Sequence, residues 1–215
     1  MEIDEFRRFV EKQKSFLIFG KKNKYEINIT WLKKKKRYLV HMDKDYFCKS
    51  SEEILELFYC GYSLEKWIKE GEALLCIRDE KAEEFAVQKY IASYYQERCR
   101  KKLKQGYRKN TREAFWEFIA KRSEILNQNT VKVISESEFK NALKQADSKI
   151  QGYMIGSNGW FEDSFHAGEM KTLAMYVEKY LEVLDFSMIF NEKGGILQYV
   201  TSDDGEVERV YYRLI

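Results

Sequence analysis

His166 stands close to Glu162, Asp163 and Glu169, in a stretch that also carries Gly152, Gly156, Gly159 and Gly168. An imidazole among carboxylates can move a proton near neutral pH, and glycines let backbone approach a ligand, so acid–base chemistry would be sought here first. The stretch matches no established site pattern. His166-Ala167-Gly168-Glu169 is one residue too long for the H-x-E of the zinc deaminases. Their P-C-x-x-C partner is excluded, because the chain has no proline and no cysteine after Cys99. The glycines do not reproduce the phosphate-cradling G-x-x-x-x-G-K-[ST] loop either. The same stretch holds Trp160, Phe161 and Phe165, which suit partner contact better than catalysis.

The remaining chemistry-bearing residues are sparse. His41 is the second of two histidines. It falls on the polar side of an alternating run whose apolar positions are Tyr38, Val40 and Met42, so no two-histidine metal site is expected. Cys48, Cys60, Cys76 and Cys99 contain no C-x-x-C pair and sit among apolar neighbours, which reads as reduced, partly buried thiols. A magnesium site built from acids and a lysine would need an acid-x-lysine strand. The nearest approach, Glu136 to Lys140, is instead a helix start, because Ser135 and Glu138 form a capping-box pattern. No cofactor and no metal is expected.

Charge is the most unusual feature. Arg98, Arg100, Lys101, Lys102, Lys104, Arg108, Lys109 and Arg112 fall in one segment without an acid, in a chain whose formal net charge is only +3. Without these cations the balance would be negative, so the basic character is local. Such a segment attracts phosphate or an acidic protein surface. Arg98, Lys101, Lys102, Arg108, Lys109 and Arg112 are the cations assigned to partner binding, together with Trp160, Phe161 and Phe165. Lys33 to Arg37 is a second basic run, read as a solvated hairpin tip that protects a sheet edge. Glu53 to Lys69 resembles a helix-turn-helix, with Cys60-Gly61 at the turn. That resemblance implies a DNA-reading second helix, but Ser63 to Glu70 offers only Lys66 and Lys69 against Glu65 and Glu70, so the segment is taken as a structural corner.

The elements around these residues follow from periodicity. Ile3, Phe6 and Val10 give an N-terminal helix. Tyr25, Ile27, Ile29 and Trp31, then Tyr38, Val40 and Met42, alternate as a β-hairpin. Ser50 to Glu53 caps a helix, and Ala73 to Ile77 is a strand. Val87, Ile91, Tyr95, Cys99 and Leu103 trace one stripe of a helix over 80–105, stopped by Gly106. A second helix capped by Asn110 completes an αα-hairpin to about 126. Val131 to Ile134 is a strand, followed by a helix to about Ala146 and a strand over Ile150 to Ile155. Residues 156–168 read as loop, and Met170, Leu173, Ala174, Val177, Leu181 and Leu184 as an amphipathic helix. Strands joined at Gly194-Gly195 and Asp204-Gly205 close the chain.

The predicted class is α+β, with a mixed, mainly antiparallel sheet, hairpins near both termini and a central helical region. One domain over 1–215 is expected, with a subdomain boundary near 127–130 as the alternative. Hydrophobic residues make up 44% and aromatics 15%, enough for a sizeable core. No apolar run is long enough for a membrane span, and no basic start followed by an apolar run marks a secretory signal, so a cytoplasmic location is expected. The functional expectation is a non-enzymatic macromolecule-binding protein of the bacterial inhibitor or immunity type, acting on a protein partner. A nucleic-acid-binding protein using 98–112 is the second reading, and an enzyme with an unrecognised acidic site the third.

Overall fold

The computed structural model describes residues 2–21, 26–71, 73–78, 80–109, 126–157, 164–203 and 206–215; at 75, 76, 78, 80, 106–109, 157, 164, 202, 203 and 206 it describes backbone alone. The class is α+β, with mostly antiparallel sheets. The chain clusters into two compact units, Met1–Asp79 and Glu80–Ile215. Residues 127–130 lie inside the second unit, leading into a strand.

The first unit is a sheet with helices on one face. It contains α1 (Ile3–Glu11), β1 (Ser15–Gly20), β2 (Glu26–Leu32), β3 (Arg37–His41), β4 (Asp45–Cys48), α2 (Ser51–Leu55), the two-residue strands β5 (Phe58–Tyr59) and β6 (Tyr62–Ser63), α3 (Leu64–Lys69) and β7 (Ala73–Arg78). Antiparallel pairings give the order β4-β3-β2-β1-β7. The predicted hairpin is β2–β3, with Ile29 opposite Val40 and Trp31 opposite Tyr38. Inward positions Ile27, Ile29, Tyr38 and Val40 meet Phe6 and Val10 of α1, Ile54 of α2 and Trp67 of α3 in one core. The Tyr38 hydroxyl donates to the Val10 carbonyl at 2.9 Å, which satisfies the polar end of a ring that is otherwise fully buried.

Two features of this unit differ from the sequence reading. Phe16, Leu17, Ile18 and Phe19 form the buried strand β1, although a run apolar at every position has no period of two to announce it. The segment resembling a helix-turn-helix is instead helix, tight hairpin, helix: Phe58 pairs with Ser63 and Tyr59 with Tyr62. Cys60 and Gly61 both take positive φ at its turn (50° and 83°), which is hairpin geometry rather than a helical corner.

The second unit has three layers. Its elements are α4 (Glu80–Lys89), a 3-10 turn (Ile91–Tyr94), α5 (Glu97–Lys109), β8 (Val131–Ile134), α6 (Glu136–Lys144), β9 (Gln151–Ser157), β10 (Ser164–Glu169), α7 (Met170–Tyr180), β11 (Phe186–Asn191), β12 (Gly194–Asp203) and β13 (Glu206–Leu214). The antiparallel order is β10-β9-β11-β12-β13-β8. One sheet face, with Ile155, Phe165, Met188, Phe190 and Leu197, packs on Ala86 and Val87 of α4, Ile91 and Tyr94 of the 3-10 turn, and Leu103 of α5. On the other face lie Ile189 and Ile196, under α6 and α7, whose capping box at Ser135 and Glu138 forms as predicted.

The long helix expected over 80–105 is broken in two. Tyr95 is extended (φ −105°, ψ 155°) and bridges to Leu126, which turns both Tyr94 and Tyr95 into the core. Arg100 holds the break, donating from Nε to the Tyr95 carbonyl (3.2 Å) and from a terminal nitrogen to the Ser93 carbonyl (3.4 Å). Gly106 does not stop α5, which continues to Lys109; the expected second helix of the αα-hairpin, over 110–125, lies outside the described residues. The loop predicted over 156–168 is strand at both ends, since Gly156 pairs with Ser164 and Gly168 with Gly152. The β11–β12 turn is made by Glu192 and Lys193, and the two glycines start β12. A side chain at Gly195 would collide with the Ile189 carbonyl and Phe190, so only glycine lets the strands approach there.

Among the described residues, no helix is long and apolar enough to cross a membrane.

Candidate protein-binding face

The cations of α5 are sorted by helical geometry. Leu103 is buried and Cys99, four residues earlier, is half-buried against the same core. With that stripe fixed inward, Arg98, Lys101, Lys102 and Lys104 are exposed, and Arg98, Lys101 and Lys102 share one face. Arg100 is diverted to the Ser93 and Tyr95 carbonyls and serves the fold. Of the partner-binding cations expected from sequence, Arg98, Lys101 and Lys102 therefore lie together on an exposed helix surface. The side chains of Arg108 and Lys109, and all of Arg112, lie outside the described residues.

Helix α4 supplies an exposed aromatic ring that sequence reasoning missed. Phe85 is 47% exposed, large for an apolar ring on a helix. Tyr90 meets it edge-on, with ring centres 5.7 Å apart. Tyr90 in turn packs on Tyr153 and Phe190 of the sheet, at 6.0 and 6.2 Å. The anchor is therefore rooted in the core. The Lys89 ammonium lies over both outer rings. Helices α4 and α5 touch each other and pack on the same sheet face. The available signal in the sequence was an aromatic residue standing off the Val87–Ile91 apolar stripe.

The aromatic loop is only partly described. Trp160, Phe161, Glu162 and Asp163 lie outside the described residues. Phe165 is fully buried and stacks on Tyr153 at 5.8 Å, so its ring belongs to the core and offers no partner surface. His166 is buried beneath α7, its ring 5.9 Å from that of Tyr176, while Glu169 is exposed at the start of the helix. The two do not share a solvent-accessible site. His41 is exposed in the first unit, with Nδ1 2.7 Å from the Asp45 carboxylate.

Lys33 to Lys36 form the exposed tip of the β2–β3 hairpin, as expected. The neighbouring Arg37 guanidinium lies 4.2 Å, and the Lys35 ammonium 5.4 Å, from the centre of the Phe47 ring on edge strand β4. The cations cover an apolar ring at a sheet edge, an arrangement that discourages strand addition.

Burial sets the ionisation of the core tyrosines. It pushes Tyr94 up to about 12, with the neighbouring Tyr90 adding to the effect, and raises Tyr95 further. Both rings therefore stay un-ionised at neutral pH. Among the described residues, no group of three or more histidine, cysteine or acidic side chains could hold a metal ion.

No family model, no curated protein and no solved structure matches the chain.

Proposed function

We propose that the chain is a binding protein that docks an acidic protein partner on the α4–α5 layer, the inhibitor or immunity type being the kind of protein that works in this way. The observation that carries this reading is a core-rooted, half-exposed aromatic on α4 together with exposed cations on α5, two helices that touch and cover one sheet face. Protein interfaces combine those two features: a buried aromatic anchor supplies most of the affinity, and surrounding charges steer and select the partner. Phosphate recognition on duplex nucleic acid needs the cations but not the ring, which is why a protein is favoured over a nucleic acid. Catalysis plays no part in this reading.

The test is affinity capture from native lysate on two immobilised proteins in parallel, the wild type and a variant with Arg98, Lys101, Lys102 and Lys104 replaced by Gln. Glutamine keeps helix propensity close to that of Lys and Arg, so α5 is preserved. The reading requires an acidic protein retained by the wild type and lost from the variant. Retention by both, or capture of nucleic acid alone, would overturn it.

A further inference from the structure

On the sheet face away from α4 and α5, the second unit holds a cavity of about 370 Å³ between α6, α7 and the β11–β12 hairpin. Its walls include Leu143 of α6, Ala174 of α7, Ile189 of β11 and Ile196 of β12, all nearly or fully removed from solvent. The charged side chains among the described residues lining it are Lys193, on the hairpin turn, and Arg213 of β13, and both are exposed at its edge. The combination is an apolar interior with cations at the mouth. Pockets that hold small molecules have this composition and volumes of about 300–1,000 Å³.

We infer that this cavity binds a small amphiphilic anion, with its apolar body against Ile189, Ile196 and Ala174 and its carboxylate at Lys193 and Arg213. Ile189 and Ile196 are cross-strand partners, and Ile196 is also paired with Arg213, so the sheet register itself sets the apolar floor beside the guanidinium. The acid whose charge Arg213 influences, Glu138, is committed elsewhere. It accepts from the Ser135 backbone at 2.9 Å in the α6 capping box. Among the described residues no carboxylate pairs with the Arg213 guanidinium, which can donate two parallel hydrogen bonds to a carboxylate. Lys193 is placed by the turn, where its backbone N–H donates to the Asn191 side chain at 2.7 Å. A cation-lined mouth selects against cationic amphiphiles, and the apolar walls select against small hydrophilic anions such as acetate. A body of about ten carbon atoms suits the volume.

The probes are decanoate, decanol and decyltrimethylammonium, titrated against the intact chain by calorimetry, with assignment by NMR shift mapping. Decanoate should saturate one site, bind at least tenfold more tightly than decanol, and shift the Ile189, Ile196 and Ala174 signals. A variant with Lys193 and Arg213 both replaced by Gln should lose that tenfold preference while still binding decanol. Filling the cavity with Ala142→Trp should abolish binding of both, with melting temperature recorded to confirm folding. The glutamine variant of α5 should bind decanoate as the wild type does, which separates this site from the α4–α5 face. Absence of saturable decanoate binding, equal affinity for decanoate and decanol, or tighter binding of decyltrimethylammonium would overturn the inference. The wild-type comparison needs no variant, so a misfolded Ala142→Trp protein would not spare it.

Discussion

The Lys89 ammonium lies 5.2 Å from the centre of the Phe85 ring and 5.1 Å from that of Tyr90. Phe85 is half in water, and the cation over its ring adds a favourable electrostatic contact to that exposed apolar area. Phe85→Ala removes the anchor while disturbing little packing. The expected stability loss is about 1 kcal/mol, from the half of the ring that is buried. The expected loss of partner affinity is larger, about 2 kcal/mol or thirtyfold, as for a central aromatic hot spot. Chemical denaturation and a binding titration on the same variant separate the two effects.

Arg209 closes the end of α7. One terminal nitrogen shares its two hydrogens among the Leu181 carbonyl (2.7 Å), the Leu184 carbonyl (2.8 Å) and the Gln198 side-chain oxygen (2.9 Å), while Gln198, fully buried, donates to Leu184 at 3.0 Å. A cation here also complements the negative end of the helix. Arg209→Met should cost about 2–3 kcal/mol, because it leaves the Gln198 oxygen and two carbonyls without their charged donor. Urea unfolding would measure this; a change below half a kcal/mol would show the network to be dispensable.

The α6 cap gives a smaller, separable effect. Ser135 Oγ accepts from the Glu138 backbone at 3.2 Å, and Glu138 reaches back to the Ser135 N–H. Ser135→Ala should cost about 1 kcal/mol, a typical loss for an N-cap hydroxyl. Helix α6 also walls the cavity, so hydrogen exchange should show its first turn opening more often in the variant.

Alkaline pH should unfold the second unit through its tyrosines. Tyr94 is held protonated up to about 12 by burial, and Tyr95 and Tyr212 are also raised. For an acid whose pKa is raised on folding, the contribution to stability is complete below the unfolded value near 10 and is lost as pH rises through the folded value. Stability should therefore be flat below about pH 9.5 and fall steeply between 10 and 12. Tyrosinate absorbance should rise in step with loss of near-ultraviolet circular dichroism. A tyrosinate signal that rises fully while the fold persists would contradict the burial argument.

The parts of this fold that sequence reveals are those where one face is buried and the other is wet. Ile27, Ile29, Tyr38 and Val40 alternate, so β2 and β3 were legible; Leu173, Ala174 and Val177 recur at helical spacing, so α7 was too. β1 and β10 were not, because Phe16 to Phe19 are buried on both faces, as are Phe165 and His166, and no polar residue marks the period. The break at Tyr95 hid for another reason. Val87, Ile91, Tyr95, Cys99 and Leu103 keep a four-residue step that suits one helix, and only the pairing of Tyr95 with Leu126 shows the chain extending there. The cations of α5 were visible as composition. Their partner ring, Phe85, looked like an ordinary helix residue until its exposure was known. The cavity was not legible at all, since Leu143, Ala174, Ile189, Lys193 and Arg213 meet only through the sheet register and the packing of α6 and α7.

The most direct test of the α4–α5 face is a titration of the captured, purified acidic partner against the wild type and the four-glutamine α5 variant at two ionic strengths, about 0.05 and 0.3 M. Exposed charges interact over about 8 Å at physiological salt and over less as salt rises, so binding through this face must weaken as salt is added. The expected result is a wild-type affinity that falls at least tenfold between the two conditions. The variant should bind at least tenfold more weakly at low salt and respond little to added salt, with an unchanged or raised melting temperature as mutual repulsion on α5 is relieved. Equal affinity of the two proteins, with the same salt dependence, would show that Arg98, Lys101, Lys102 and Lys104 are only a solvated helix surface.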